Sequence, residues 1–327
     1  MRAGALILIT LAAPAVARDP LFRLPIDCDL SDTCYIQQFV DHDSSAGVID
    51  FACGSITYDG HKGTDFALPS LAMQAQGVNV IAAAPGTVRG VRNDMVDVLQ
   101  GQAGAPDVSS KECGNGVVID HGNGWETQYC HMAQGSVTVR SGDHVAMGQV
   151  LGQVGLSGQT QFPHVHLSVR HNGEVVDPFD PNDEATCGPS NTTLWIDTPP
   201  TPAGGLISTG FAPNVPEYTE VKAGTAGTAG TAGTAGVVKL DQSGNIVLWG
   251  FSFGVQSGDE MTFEIIGPSG PIFEHTETLT RDQAMVFRAS GKRATASGWD
   301  TGDYAGMVTL QRDGTELDRQ VINVTVR

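Results

Sequence analysis

Cationic side chains, aromatic residues and long apolar runs are all scarce in this chain of 327 residues. It has 18 Lys and Arg residues and 36 Asp and Glu residues, which gives a formal net charge of −18. An acidic surface repels nucleic acid and anionic lipid, so neither is an expected partner. Only 6% of the residues are aromatic and 41 are glycine, which favours short strands and many turns over long helices.

The first 17 residues have the pattern of a secretory signal peptide. Arg2 supplies a positive start, residues 5–11 are apolar, and Ala15 and Ala17 flank Val16 as in a cleavage site. A short buried helix is the alternative. The apolar stretch is too short to cross a bilayer, and no later run is long enough. The mature chain is therefore expected to be exported, to the periplasm or the extracellular space, with no membrane span.

Six cysteines are an even number, which suits three disulfides in an oxidising compartment. One pairing can be argued from the sequence. Residues 116–120 and 125–132 have the pattern of two hairpin arms, which would bring Cys113 and Cys130 together. A zinc–thiolate site is the competing use of these cysteines, but the chain has no Cys-x-x-Cys pair.

The fold class expected from the pattern is all-β. Residues 55–188 consist of short β-like segments between Gly-rich turns, which predicts an antiparallel β-sheet domain. A disulfide-stapled extension, residues 18–54, precedes it. Residues 93–111 are polar and without a period, and we expect a long surface loop there.

A change of composition separates this domain from the rest of the chain. Residues 189–236 contain a Pro-rich stretch and a Thr-Ala-Gly repeat, which cannot build a core and predicts a mobile linker. Clean alternation over residues 237–327 predicts a smaller β-sandwich. Residues 205–211 could supply its first strand, with the repeat as an inserted loop, and both alternatives stay open.

Two histidines stand two residues apart, at His164 and His166, in a segment with a strict period of two. Such a segment predicts a strand with one polar and one buried face. Its polar face carries both imidazoles, whose Cα atoms would lie ~6.6 Å apart, close enough to address one small site. Two surface histidines are the alternative, since short motifs also arise by chance.

His61 and Asp65 form a second candidate pair, because an imidazole and a carboxylate are ordinary ligands of a divalent metal. Gly63 between them argues against a helix. On a straight strand their Cα atoms would stand ~13 Å apart, too far for one ion. We therefore expect the chain to bend at Gly63. An incidental His and Asp in a surface loop is the alternative.

The remaining histidines carry weaker signals. His131 shares one face of a predicted strand with Tyr129, and alone it would be read as a packed or solvated residue. His121 lies in a His-Gly-Asn-Gly turn and is expected to be structural. The others have no partner pattern and are expected to be exposed: His42, His144, His171 and His275.

Together these motifs offer four imidazoles and one carboxylate to one β domain. A catalytic zinc needs three protein ligands and an open position for water. Two imidazoles remain, and histidine is the side chain that can take a proton and stabilise an oxyanion near neutral pH.

The motifs resemble those of the lysostaphin-type (LytM-like) zinc metallopeptidases, which include the peptidoglycan DD-endopeptidases. The resemblance covers roughly residues 55–181 and rests on motifs that occur in the family's order: His61-x-x-x-Asp65, the segment 116–124 leading to Tyr129-x-His131, the segment 141–158, and His164-x-His166. It implies one zinc ion held by His61, Asp65 and His166, with His131 and His164 as catalytic residues. It also implies hydrolysis of the peptide cross-links of bacterial peptidoglycan, with stem peptides as the partner.

A non-catalytic cell-wall-binding or hydrolase-activating module is the competing hypothesis. Related domains with lost ligands can serve in that way, but here every ligand position is filled. The same chemistry on another peptide is a third possibility that the sequence leaves open.

Overall fold

The computed structural model describes residues 19–30, 32–183, 187–230 and 239–327. The expected signal peptide and residues 231–236 of the Thr-Ala-Gly repeat lie outside the described residues. Among those that are described, no helix has the length and apolar character needed to cross a membrane.

The first half of the fold is an antiparallel β domain. Its elements are β1 (Tyr35–Gln38), β2 (Thr64–Ala67), α1 (Leu71–Ala75), β3 (Asn79–Ile81), β4 (Gly86–Arg92), β5 (Asn115–Gly122), β6 (Trp125–Met132), β7 (His144–Val145), β8 (Val150–Gln153), β9 (His164–His171) and β10 (Glu174–Val175). The main sheet has the order β1-β2-β9-β6-β5-β4-β7, with β10 paired to β9, while β3 and β8 form a two-stranded sheet. Strand β9 therefore lies inside the sheet, where its position is fixed on both sides.

Two further sheets make up the C-terminal half. Their elements are β11 (Gly205–Ala212), α2 (Tyr218–Ala223), β12 (Thr228–Gly230), β13 (Lys239–Leu240), β14 (Ile246–Val255), β15 (Glu260–Gly267), β16 (Gly270–Thr278), β17 (Gln283–Lys292), β18 (Gly302–Arg312) and β19 (Thr315–Val326). One sheet has the order β12-β11-β14-β17 and the other β13-β19-β18-β15-β16. Apolar side chains of both sheets, among them Leu248 and Phe263, share one buried cluster. This is the arrangement of a β-sandwich.

The all-β fold class expected from the sequence is confirmed. Strand β11 pairs with β14 over its whole length, so the segment that the sequence left open as linker or strand is a strand of the C-terminal half. The extension before the first domain supplies β1, which pairs with β2.

Three disulfides join the cysteines, as Cys28–Cys34, Cys53–Cys187 and Cys113–Cys130. The pairing of Cys113 with Cys130 is the one that the hairpin pattern predicts, and it is confirmed. The bridge from Cys53 to Cys187 spans 134 residues and ties the N-terminal extension to the end of the first domain.

The two halves pack against each other through a shared apolar cluster. Tyr35, Ala67 and Phe162 of the first half contact a group of large side chains from the second half that includes Trp249 and Phe251. Burial of a large apolar side chain contributes about 1.5–3 kcal/mol. The C-terminal half is thus held firmly against the strands that carry the candidate site.

Candidate metal and catalytic site

Strand register brings the two sequence motifs together. In the pairing of β2 with β9, Asp65 lies opposite His166 and Ala67 lies opposite His164. Side chains of directly opposed residues point to the same face of a sheet. On the other face of β9, Val165, Leu167 and Val169 are at most 1% exposed, as the period of two predicts. Asp65, His164 and His166 therefore share the polar face.

Three potential ligand atoms form a small triangle on this face. The Nε2 atom of His61 lies 3.2 Å from Asp65 Oδ1 and 3.2 Å from His166 Nδ1, and His166 Nδ1 lies 2.8 Å from Asp65 Oδ1. A tetrahedral zinc ion with bonds of about 2.0–2.2 Å needs ligand atoms about 3.3–3.6 Å apart. The donor set and its spacing fit a zinc ion after shifts of a few tenths of an ångström.

Backbone carbonyl groups orient the imidazoles of the site. A carbonyl oxygen lies against the Nδ1 atom of three histidines: Phe39 O at 2.5 Å from His61, Ser157 O at 2.8 Å from His131, and Phe162 O at 3.0 Å from His164. Because a carbonyl can only accept, each Nδ1 carries the proton and each Nε2 keeps its lone pair. For His61 this is the tautomer that a metal ligand needs.

The expected bend at Gly63 is present, immediately before β2 begins at Thr64. Gly63 also lies directly against the site. A Cβ atom added to it would stand 2.6 Å from His166 Nε2 and 2.5 Å from the Leu167 carbonyl oxygen. Only glycine lets the loop that carries His61 approach β9 this closely.

The Gly63→Ala variant is accordingly expected to bind zinc about 10- to 100-fold more weakly. Changing a residue that holds a metal ligand in position typically lowers metal affinity by that factor. Competition with a chromogenic chelator measures the affinity. Gly90→Ala is the matched control, because a Cβ there meets nothing within 4 Å. Equal zinc affinity in the two variants would contradict the packing argument.

The His131 side chain lies on the same face as the site, which the period of two along β6 does not predict. Tyr129 is fully buried on the core face, and simple alternation would place His131 there as well. Instead His131 has a φ of 61°, in the left-handed region that residues with a side chain rarely adopt. Its ring consequently lies 4.6 Å from that of His164 and 6.1 Å from that of His166. The predicted face was wrong, and the strained backbone is the physical reason.

Burial and mutual contacts set the charge of these groups. Burial alone would raise the pKa of Asp65, but His61 and His164 outweigh it and hold the pKa of this carboxyl well below its usual range. Burial lowers the pKa of His131 well below its usual range, and the neighbouring His164 and His166 lower it further. Burial also lowers the pKa of His164. At neutral pH the site thus holds one carboxylate beside two neutral imidazoles, which can accept protons.

Two of the other histidines differ from the sequence-based expectation. His42 is half-buried, with its Nε2 2.9 Å from Asp177 and its Nδ1 3.2 Å from Asp183, and the hydrogen bond to Asp177 raises its pKa to about 9. His171 stacks on Trp125 at 4.3 Å between ring centroids. Both were predicted to be exposed, which was wrong because their partners are distant in sequence. His144 and His275 are exposed, as predicted.

His121 has the structural role that its position in the sequence suggests. Its ring nitrogens lie 2.8 Å from the Pro85 carbonyl oxygen and 2.7 Å from Thr127 Oγ1. It thereby joins β5 to the neighbouring loop and to β6.

Several groups that support the site have no signal in the sequence. Phe39 and Ser157 act through backbone carbonyls, which every residue possesses. Asp41 accepts a hydrogen bond from Gly60 N at 2.9 Å, and its own N–H donates to the His61 carbonyl at 2.9 Å, so it fixes the turn before His61. An Asp followed by His and Asp is too common a pattern to reveal this role.

The candidate site lies within the part of the chain that matches a known protein family. Residues 59–178 match the model of peptidase family M23. The protein named DD-carboxypeptidase/endopeptidase Mpg, from Neisseria meningitidis, is 34% identical over 118 residues, which cover 36% of this chain and 22% of Mpg. Peptidoglycan DD-endopeptidase ShyA, from Vibrio cholerae, is 31% identical over 122 residues, which cover 37% of this chain and 23% of ShyA. The match thus spans less than a quarter of these relatives.

Among solved structures, the catalytic domain of the prophage-encoded M23 protein EnpA from Enterococcus faecalis is 23% identical. The match covers 50% of this chain and 96% of that domain, with a TM-score of 0.33. The resemblance found in the sequence is confirmed over residues 59–178 by the family match.

Proposed function

We propose that this chain is an exported zinc-dependent endopeptidase that hydrolyses peptide cross-links of bacterial peptidoglycan. Its residues 59–178 match the model of peptidase family M23, which supports the proposal. One observation carries the proposal. Three ligand atoms, from His61, Asp65 and His166, lie within 3.2 Å of one another beside two further buried imidazoles. Surface histidines of a non-catalytic module would have no reason to converge in this way.

The chain's own residues supply the binding and proton-transfer groups. His61 Nε2, Asp65 Oδ1 and His166 Nδ1 would hold the ion, which when bound supplies Lewis-acid activation of water and of the scissile carbonyl. His131 and His164 each keep a neutral Nε2 beside it, so either can take a proton from the attacking water. Once protonated, the same Nε2–H can donate a hydrogen bond to the oxygen of the attacked carbon or give its proton to the leaving amine.

Export and substrate class are supported by separate observations. Three disulfides, one within the N-terminal extension, one within the first domain and one between the two, fit an oxidising compartment outside the cytoplasm. Two relatives are named for endopeptidase activity, one of them explicitly on peptidoglycan. Their names support stem peptides as the substrate here, in the periplasm or the extracellular space.

Digestion of purified cross-linked muropeptides by the full mature chain tests the proposal. Mass spectrometry is expected to detect cross-linked dimers split into monomers with the gain of one water. A chelator should reduce the rate to background, because water activation is lost with the ion, and added zinc should restore it. Intact dimers after prolonged incubation with zinc-loaded protein would contradict the function, and cleavage insensitive to chelation would contradict the mechanism.

A further inference from the structure

A β-bulge in strand β6 sets the direction of the His131 side chain. From the pair Asn115–Met132 to the pair Val117–Tyr129, β5 advances from residue 115 to 117, but β6 covers residues 129 to 132. One residue of β6 is therefore extra, and such a bulge interrupts the alternation of side chains. Tyr129 and Met132 both lie in the core, although a strict period of two would place them on opposite faces. The bulge thus turns His131 to the face of the site.

The bulge requires a backbone conformation that histidine adopts only at a cost. The φ of 61° at His131 lies in the region that glycine occupies without strain, so surrounding contacts must hold the residue there. Three hydrogen bonds of 2.8 Å do so: from its N–H to the Cys113 carbonyl, from Gly155 N–H to its carbonyl, and from its Nδ1–H to the Ser157 carbonyl. Loss of such contacts favours extended backbone, which turns the imidazole away from the site.

The Cys113 carbonyl reaches His131 because the chain reverses just before β5. The pairing of β5 with β6 ends at Asn115, and a straight strand before it would carry Cys113 away from the bulge. Gly114 has a φ of 64°, and the turn at this residue brings Cys113 back beside Cys130. The disulfide joins the two cysteines, with their Cα atoms 4.7 Å apart. It is a covalent tie at a point that the strand pairing does not hold.

The disulfide therefore brackets the bulge. One of its cysteines, Cys130, directly precedes His131, and the other, Cys113, supplies the carbonyl that accepts the His131 N–H. The bulge also lies beside the candidate metal site, since Cys130 pairs with His166 of β9.

We propose that the Cys113–Cys130 disulfide positions His131 for proton transfer. The inference rests on the proposed function. Both cysteines are positioning residues, because they act through His131 and not on the reacting atoms. Without the bridge, the Cys113 carbonyl is no longer held over the bulge, and His131 samples extended conformations in which its imidazole leaves the site.

The double variant Cys113→Ala/Cys130→Ala is expected to lower kcat for cross-linked muropeptides by about 100-fold, the effect of displacing a reacting group by about 1 Å. Zinc content and KM should stay at their wild-type values, because His131 is not a metal ligand and acts in turnover. Steady-state kinetics and elemental analysis of the full zinc-loaded chain measure all three. Cys28→Ala/Cys34→Ala is the matched control, since it removes a short-range bridge of the N-terminal extension, and it should keep wild-type kcat.

A mutant cycle with His131→Ala separates positioning from a general loosening of the domain. If the bridge acts through His131, its removal from the His131→Ala variant should lower kcat no further. A bridge that only stabilises the domain would lower kcat by the same factor in both backgrounds. That result, a raised KM or a loss of zinc in the double cysteine variant would each overturn the proposal.

Reduction of the folded wild type by a water-soluble phosphine gives the same comparison should the double cysteine variant not fold. Turnover is measured first, and the free thiols are then alkylated for peptide mapping. The fraction of turnover lost should equal the fraction of molecules in which the Cys113–Cys130 bridge is open. Full turnover with this bridge open would contradict the proposal.

Failure of the proposed function is a different result, namely no hydrolysis by the zinc-loaded wild type. Hydrogen exchange then decides the inference. The His131 amide, which donates to the Cys113 carbonyl, should exchange at least about tenfold faster in Cys113→Ala/Cys130→Ala than in wild type. The Ala133 amide, which donates to the Gln153 carbonyl at 2.9 Å, should keep its rate. Equal exchange of the His131 amide in the two proteins would contradict the inference.

Discussion

Replacing Asp65 with alanine is expected to remove both the bound zinc and the hydrolytic activity of the full chain. Asp65 Oδ1 is the common neighbour of the other groups, at 3.2 Å from His61 Nε2, 2.8 Å from His166 Nδ1 and 3.6 Å from His164 Nε2. Residues that merely support a ligand change zinc affinity by about 10- to 100-fold, so loss of a ligand should exceed about 100-fold. Elemental analysis after dialysis measures the zinc.

The control for this variant is Asp59→Ala. Asp59 is exposed and lies two residues before His61, so it tests whether the loss of any nearby carboxylate is sufficient. It should keep one zinc per chain and full activity. Asp65→Asn separates charge from shape, since the amide fills the same space without the negative charge. Stoichiometric zinc in correctly folded Asp65→Ala would exclude this carboxylate as a ligand.

Removal of the His131 imidazole is expected to have the opposite signature, with zinc retained and turnover lost. His131 lies outside the ligand triangle, with its ring 6.1 Å from that of His166. Its Nδ1 is committed to the Ser157 carbonyl, so only its Nε2 faces the site. Loss of a positioned proton-transfer group typically lowers kcat by about 10²- to 10⁴-fold. Steady-state kinetics of His131→Ala, beside its zinc content, measures both quantities.

His144→Ala is the matched control for His131→Ala, because His144 is an exposed imidazole of the same domain that contacts Thr87. It should behave as wild type in both measurements. Zinc loss in His131→Ala equal to that in Asp65→Ala would reassign His131 as a ligand. Full turnover with zinc bound would instead remove it from the proton-transfer step.

The candidate ligand residues could be found from the sequence because His and Asp are chemically conspicuous at short, regular spacings. The period of two predicted the polar face of β9, and a glycine between His61 and Asp65 predicted the bend that joins them. Residue chemistry and local periodicity are both encoded over a few neighbouring positions, so both can be recognised from the sequence alone.

The sequence could not predict features that depend on contacts between distant segments. The left-handed backbone of His131 is held by hydrogen bonds of its N–H to the Cys113 carbonyl and of its carbonyl to Gly155 N–H, each 2.8 Å long. Nothing local to residue 131 encodes them. The packing of Phe162 with Phe251 across the two halves is equally non-local, so no sequence motif predicts it.

Locating the metal by anomalous diffraction at the zinc edge, from crystals of the full chain, tests the central claim most directly. Two groups of side chains in the described parts of the chain could hold an ion, one at His61, Asp65 and His166 and the other at His42, Asp180 and Asp183. We expect a single peak about 2.0–2.2 Å from His61 Nε2, Asp65 Oδ1 and His166 Nδ1. A peak only at the group around His42, or none in crystals grown with zinc, would contradict the claim.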